Sequence, residues 1–150
     1  LLDKIYKELN DKLKTIKKVS KLLTGSYALG IIFLDDKENI YTIRKDSPLI
    51  IGVGKHENFI ASDVPAILEY TNKYILLEEK EIACISNSNI VIYDNNLKVI
   101  QKDINEFEGT KETVMKNGYE HFMLKEINDE PFVISETFKQ FINENRKHTV

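Results

Sequence analysis

The sequence predicts an α+β protein in which β-sheets are layered against each other and against helices. Three observations lead to this prediction. The first segment carries apolar residues at helical spacing. Several later segments are apolar at consecutive positions, which is typical of strands covered on both faces, and the turns between them are of hairpin size. With 150 residues, 42% hydrophobic and 30% charged, the chain has the composition of a soluble globular domain with one sizeable core.

A helix is predicted over residues 2–23. Its apolar residues recur every three or four positions and form one stripe: Leu2, Ile5, Leu9, Leu13, Ile16, Val19 and Leu22. Most of the lysines of this segment lie on the other side: Lys12, Lys14, Lys17, Lys18 and Lys21. We interpret them as a solvated face, with attraction of phosphate as the less favoured alternative. Thr24-Gly25 is expected to end the helix, because glycine adopts the left-handed conformation easily.

Short strands account for most of the remaining apolar residues. They are predicted at 26–34, 40–44, 49–54, 59–61, 73–77, 81–86, 89–93 and 98–101. Residues 35–39 are expected to form a polar turn. Ser62-Asp63 is expected to begin a short helix over 64–70, with Pro65 in its first turn.

The C-terminal third has weaker patterns. Residues 103–118 are predicted to form a loop with one helical turn. Residues 119–128 have apolar side chains at helical spacing, and Pro131 is expected to interrupt this helix. Residues 132–145 are interpreted as a last helix or the start of a linker.

Charge, hydropathy and cysteine count exclude several classes of protein. A net charge of −3 gives no reason to expect a nucleic-acid-binding surface. The longest apolar stretch, Tyr27–Leu34, is far shorter than the roughly 20 residues that span a bilayer, so no membrane role is expected. With one cysteine and no export signal, we expect a cytoplasmic protein. The chain opens at Leu1-Leu2-Asp3, inside an apolar-periodic pattern, and we expect it to be a segment of a longer polypeptide.

The cysteine and the histidines do not predict a catalytic or metal site. Cys84 lies in a segment apolar on both faces, with no base or cation nearby to lower the thiol pKa, so it is expected to be a buried structural residue. His56, His121 and His148 are far apart and have no cysteine at the spacing of zinc ligands. We therefore predict no metal site and no catalytic role for Cys84.

Glycines and paired acids are also better explained by turns. Gly52-Val53-Gly54 ends a strand, but no third glycine opens a helix after it, so it does not match a dinucleotide-binding motif. The carboxylate pairs Asp35-Asp36 and Glu78-Glu79 occupy adjacent positions in predicted turns. No catalytic, cofactor-binding or metal-binding residue, and no cofactor, is predicted.

Three stretches, in order, carry a resemblance to a known family. They are Gly25-Ser26-Tyr27-Ala28-Leu29, the block 44–63 with its Asp-Ser-Pro-Leu-Ile-Ile-Gly-Val-Gly run, and the block 119–127, Tyr-Glu-His-Phe-Met-Leu-Lys-Glu-Ile. From about residue 2 to 131 the chain resembles the second half of the glutaminase domain of glutamine–fructose-6-phosphate aminotransferases, the glucosamine-6-phosphate synthases. Where that family usually has Glu-Gln-Pro, this chain has Asp129-Glu130-Pro131.

The resemblance implies a four-layer α/β/β/α sandwich of the N-terminal-nucleophile hydrolase type. It also implies a parent enzyme that releases ammonia from glutamine with an N-terminal cysteine and transfers it to fructose 6-phosphate. The nucleophile and the glutamine-binding residues of that family lie in the first half of the domain, so this chain is expected to be inactive scaffold. Residues 1–131 would form the second half of the glutaminase domain. Residues 132–150 would form a linker or the start of the sugar-isomerase part.

The implied partners are the remaining half of the glutaminase domain, the sugar-isomerase domain and further copies of the parent in a homo-oligomer. Two alternatives stay open: a segment of another class II amidotransferase, such as amidophosphoribosyltransferase, or a non-catalytic module that binds a partner. Half of a sandwich leaves apolar sheet surface uncovered, so the chain alone is predicted to self-associate.

Overall fold

A computed structural model of the chain describes residues 1–108 and 122–146. The chain divides into two compact units, Leu1–Glu108 and Gly109–Val150, and each is described by itself. In the first unit the helices are α1 (Leu2–Leu9) and α2 (Lys12–Leu22). The strands are β1 (Tyr27–Phe33), β2 (Asp36–Lys45), β3 (Ile50–Val53), β4 (Asn58–Ala61), β5 (Lys73–Leu76), β6 (Ile82–Ile85), β7 (Ile90–Tyr93), β8 (Val99–Ile100) and β9 (Asn105–Glu106). The second unit contains α3 (Phe122–Arg146).

The strands of the first unit form two antiparallel sheets. The larger sheet has the order β1-β2-β6-β7-β8, and the smaller has the order β4-β3-β5-β9. Every pair is antiparallel. For the pairs β1–β2, β3–β4, β6–β7 and β7–β8 the short connections require this orientation, because parallel strands need a long crossover. The predicted α+β class with layered sheets is confirmed.

The main core lies between the two sheets. Its buried side chains come from β3 and β5 on one side and from β6 and β7 on the other, with flanking leucines: Leu49, Ile51, Ile75, Leu77, Ala83, Ile85 and Ile92. Because side chains alternate along a strand, the other face of the large sheet is free to bury a second cluster. That cluster consists of Phe33, Tyr41, Ile43 and Ile82 with Ile16 of α2. The layers are therefore helix, large sheet and small sheet.

The N-terminal segment is two helices, so the single helix predicted over 2–23 is wrong. Asn10 takes the left-handed conformation with φ 47° and ends α1, while the side chain of Asp11 caps α2 by accepting a hydrogen bond of 2.9 Å from the Lys14 amide. Asn tolerates the left-handed region, and Asp is a preferred N-cap. The apolar stripe continues across this break, and for that reason periodicity alone does not reveal it.

The first hairpin is tighter than predicted. The turn is Leu34-Asp35, and β2 begins at Asp36, so the polar turn predicted over 35–39 is mostly strand. A register shift between Ile31 and Phe33 accommodates the short connection. The polar residues that suggested a turn lie on an edge hairpin, where strand residues can stay in water.

The short helix predicted over 64–70 is replaced by a series of turns. Its backbone hydrogen bonds include two that are typical of turns. The Ile67 N–H donates to the Val64 carbonyl and the Tyr70 N–H donates to the Ile67 carbonyl, each three residues earlier in the chain. Asp63 does cap the first turn, accepting from the Ala66 amide at 3.2 Å. Ile67 is buried against the outer face of the small sheet at Gly52. This segment therefore covers the face of the small sheet that points away from the large sheet.

Two further differences concern the C-terminal third. Strand β9, inside the predicted loop 103–118, pairs with β5, and the rest of that loop from 109 lies outside the described residues. In the second unit, α3 continues through Pro131, so the predicted interruption there is wrong. A proline removes one backbone hydrogen bond, and a helix of 25 residues keeps the bonds on either side of it. Within the described ranges, no helix is both long enough and apolar enough to cross a bilayer.

Candidate functional site

Cys84 lies on β6, on the face of the large sheet that packs against the helices. The residue is half-buried, and burial raises the pKa of its thiol. A nucleophilic cysteine needs the opposite shift, because the thiolate is the reactive form. Tyr41, its neighbour across the strand pair, donates its hydroxyl to Asp36 Oδ2 at 2.8 Å. The surroundings of Cys84 therefore favour the neutral thiol.

Gly52 is a buried residue of β3, whereas Gly54 and the exposed His56 lie in the bend between β3 and β4. A Cβ at Gly54 would overlap the backbone carbonyl oxygen of Glu57, so the tight bend itself requires glycine. His121 and His148 lie outside the described residues. Within the described ranges, His, Cys, Asp and Glu form no group of three or more that could hold a metal ion.

The first acid pair, Asp35-Asp36, ties the hairpin to the helices. Asp35 accepts a hydrogen bond of 2.6 Å from the Tyr6 hydroxyl and one of 3.1 Å from Lys12 Nζ. These two donors lower the pKa of the Asp35 carboxyl. Both donors come from the helical layer, and the hairpin turn is thereby fixed against α1 and α2.

Glu79, from the second acid pair, lies beside a half-buried arginine. Arg44, at the end of β2, donates Nε to the Leu77 carbonyl at 2.6 Å and Nη1 to the Ser47 carbonyl at 2.8 Å. Its Nη2 lies 3.4 Å from Glu79 Oε1, which also accepts from the Asp46 amide at 3.1 Å. These bonds connect the end of the large sheet's second strand to the β5–β6 turn. Both acid pairs therefore have structural partners.

One face of β1 is uncovered. Its residues Ala28, Gly30 and Ile32 are exposed, and the following Leu34 is 91% exposed. The prediction of a strand covered on both faces is therefore wrong for β1 within the described residues. The opposite face is packed as expected, with Phe33 4% exposed in the helix-side cluster.

The uncovered strand lies at a shared edge of the two sheets. Strand β1 is the last strand of the large sheet and β4 is the last strand of the small sheet. The two strands are close, because a Cβ placed on Gly30 would lie 2.8 Å from Cδ1 of Ile60 in β4. Both sheets therefore end on the same side of the sandwich within the described residues. Sequence patterns did not show that the two sheets end on the same side, although the excess of apolar residues in β1 was a signal of this arrangement.

Comparison with known proteins finds relatives that share the same name. No family model matches the chain. A glutamine–fructose-6-phosphate aminotransferase (isomerizing) from Clostridium perfringens is 39% identical over 150 residues, which is 100% of this chain and 24% of the relative. The enzyme of that name from Fusobacterium nucleatum is 38% identical over 146 residues, 97% of this chain and 24% of the relative. The one from Pyrococcus horikoshii is 45% identical over 126 residues, 83% of this chain and 21% of the relative.

The chain spans about a quarter of the length of these curated relatives. Identity of this extent, spread over nearly the whole chain, agrees with the two-sheet architecture and with the three stretches that carry the sequence resemblance. The chain is therefore homologous, along its length, to a segment of the glutamine–fructose-6-phosphate aminotransferases.

Proposed function

We propose that this chain is the second half of the glutaminase domain of a glutamine–fructose-6-phosphate aminotransferase, and that it serves as the scaffold of that domain. The observation that carries the proposal is the 39% identity to the Clostridium perfringens enzyme over 100% of this chain. The helix–sheet–sheet layering supports it. The names of the relatives favour this parent over an amidophosphoribosyltransferase.

In this proposal the parent, a cytoplasmic homo-oligomer, hydrolyses glutamine and delivers ammonia to fructose 6-phosphate, forming glucosamine 6-phosphate. The nucleophilic cysteine and the glutamine-binding residues belong to the other half of the domain. The raised pKa of the Cys84 thiol supports this division, because it makes Cys84 unsuited to attack an amide. Residues 1–131 belong to the glutaminase domain, and 132–150 form a linker or the start of the sugar-isomerase part.

The chain contributes one side of the sandwich and two sheet edges. The free backbone edges of β1 and β4 are where the other half of the domain would continue the two sheets. Strands added beyond β4 would cover the exposed face of β1, where Ile32 is 63% exposed. Burial of Leu34, which is 91% exposed, would contribute about 1.5–3 kcal/mol to association of the two halves, and burial of Ile32 correspondingly less.

A chimera tests the proposal. The segment of the Clostridium perfringens enzyme that matches this chain is replaced by residues 1–150, and glucosamine 6-phosphate formed from glutamine and fructose 6-phosphate is measured. We expect the chimera to be active, and unchanged by Cys84→Ser. A folded chimera without activity would contradict the proposal, as would glutamine hydrolysis by the 150-residue chain alone.

The uncovered edge provides a second test. The chain alone should self-associate, and Ile32→Asp should reduce the association, because it places a charge on the exposed face. Light scattering over a range of concentrations measures the association of the unaltered chain and of the Ile32→Asp variant. Lys37→Asp, on the exposed part of the adjacent strand, is the control. A monodisperse monomer of the unaltered chain at every concentration would contradict the expected role of this edge.

A further inference from the structure

A groove of about 620 Å³ lies where the C-terminal end of α2, the start of β1 and the end of β2 meet the β5–β6 turn. Its volume is within the range of about 300–1,000 Å³ that is typical of small-molecule sites. Tyr27, Leu23 and Ile43 supply apolar walls, and Ser20 and Asn95 supply polar groups. The groove lies entirely within the first unit.

Positive charge is concentrated around this groove. Lys21, Lys45 and Lys80 line it, and none of their ammonium groups has an ion pair or hydrogen bond with another described residue. The chain as a whole carries a net charge of −3, so this local excess of cations runs against its overall charge. Unpaired cations that converge on a concave surface attract anions, because a cleft concentrates their field.

Arg44 adds a guanidinium group that is already fixed in place. Its side chain is 20% exposed and is held by the two backbone carbonyls described above, Leu77 and Ser47. A guanidinium carries five N–H donors, so these two bonds leave others unused. Such a group loses little entropy when it binds an anion, and its geometry matches the oxygens of phosphate.

Two carboxylates oppose the four cations. Glu79 is 3.4 Å from Arg44 Nη2 and accepts the Asp46 amide, and Asp46 itself is exposed at the rim. The backbone here is also unusual, because Asp46 and Lys80 both have positive φ, 52° and 66°. Non-glycine residues in this conformation carry strain, which is frequent at ligand-binding sites. Glu79 is therefore the group that a bound anion would compete with for Arg44.

We propose that this groove binds a small phosphate ester, with the phosphate between Lys21, Lys45, Lys80 and Arg44, and the polar remainder of the ligand against Ser20 and Asn95. The apolar wall at Tyr27 accommodates the carbon skeleton of the ligand. The proposal does not depend on the enzymatic identity of the parent, since it uses only residues of this chain.

Calorimetric titration of the 150-residue chain tests the proposal with three probes. Ribose 5-phosphate should give saturable heat, and ribose, which lacks the phosphate, should give none. Inorganic phosphate should bind more weakly than ribose 5-phosphate, because it makes no contact with the walls. Added salt should weaken binding, because the contact is ionic. No saturable heat with ribose 5-phosphate at about 10 mM would overturn the proposal.

Charge variants separate a defined site from a diffuse basic surface. Lys21→Gln and Lys80→Gln should each weaken ribose 5-phosphate binding about 3- to 10-fold. The matched controls are Lys37→Gln, on the exposed part of β2, and Lys4→Gln, on the exposed side of α1. Both lysines lie outside this groove, and both variants should leave binding unchanged. Losses as large in the controls would show general electrostatic attraction and would overturn the defined site.

The Glu79→Gln variant gives a change of the opposite sign. It removes the carboxylate that competes for Arg44, so ribose 5-phosphate should bind about 3-fold more tightly or better. A purely structural Glu79 would not produce tighter binding. Unchanged or weaker binding by a variant that keeps its circular dichroism spectrum would contradict the assignment of Arg44 to the anion.

Discussion

Replacing Thr42 by valine should stabilise the chain. Thr42 lies in the middle of β2, opposite Gly30 on one side and Ala83 on the other, and it is 0% exposed. Ala83 belongs to the core between the sheets, so Thr42 points into that core. Its Oγ1 has no hydrogen-bond partner among the described residues. A buried hydroxyl without a partner has lost its hydrogen bonds to water and gained none in return.

The expected size of the effect follows from that loss. Burying an unpaired hydroxyl costs about 1–3 kcal/mol by mutational comparison. Valine keeps the branched shape of threonine and replaces the hydroxyl by a methyl group, so no cavity forms. We expect Thr42→Val to raise the free energy of unfolding by about 1–2 kcal/mol, and Tm by about 4 °C for each kcal/mol.

Urea denaturation followed by circular dichroism measures this difference at a single protein concentration. Thr42→Ala is the control: it also removes the hydroxyl but leaves a small void, so it should be less stable than Thr42→Val. Thr15, 0% exposed and likewise unpaired through its Oγ1, provides the same comparison in α2. A Thr42→Val variant less stable than the unaltered chain would refute the reasoning, because it would show that the hydroxyl makes a favourable bond.

Three further outcomes are expected from the same structure. Gly54→Ala should destabilise the chain by about 1–3 kcal/mol in urea denaturation, because the new methyl group overlaps the Glu57 carbonyl. Gly25→Ala is the control: Gly25 has φ 82° and open space around it, so this change should cost about 1 kcal/mol. A larger loss of stability in Gly25→Ala than in Gly54→Ala would contradict the clash. Because hydrogen bonds from Tyr6 and Lys12 lower the pKa of Asp35, its carboxylate adds stability at pH values above its ordinary pKa of 3.8, and this stability is lost as the pH falls through the lower folded-state pKa. Asp35→Asn should therefore lower Tm at pH 6, and by progressively less as the pH is lowered below 3.8. Cys84 should react with a thiol reagent more slowly in the folded chain than in denaturant at the same pH, since burial raises its pKa; equal rates would show an accessible thiolate.

Much of the strand arrangement could be predicted from the sequence. The segments around Ile51, Ile75, Ala83 and Ile92 are short apolar runs bounded by turn residues, and each forms a strand of the inter-sheet core. Local pattern is sufficient there, because a short apolar run between turn residues has the length of a strand and is too short for a typical helix. The segment around Cys84 contains no base or cation, and the structural role predicted for Cys84 on that ground stays a prediction.

The tertiary structure alone decided which apolar residues remain exposed and which charges meet. The sequence determined that β1 would be apolar on both faces, yet its coverage depends on where the smaller sheet ends, and that sheet ends at β4. The sequence likewise contains Lys21, Arg44 and Lys80 at positions far apart, and only the folding of α2 and the β5–β6 turn onto one end of the large sheet brings them to one groove. Periodicity reports the environment of neighbouring residues, whereas such contacts depend on the long-range packing of whole elements.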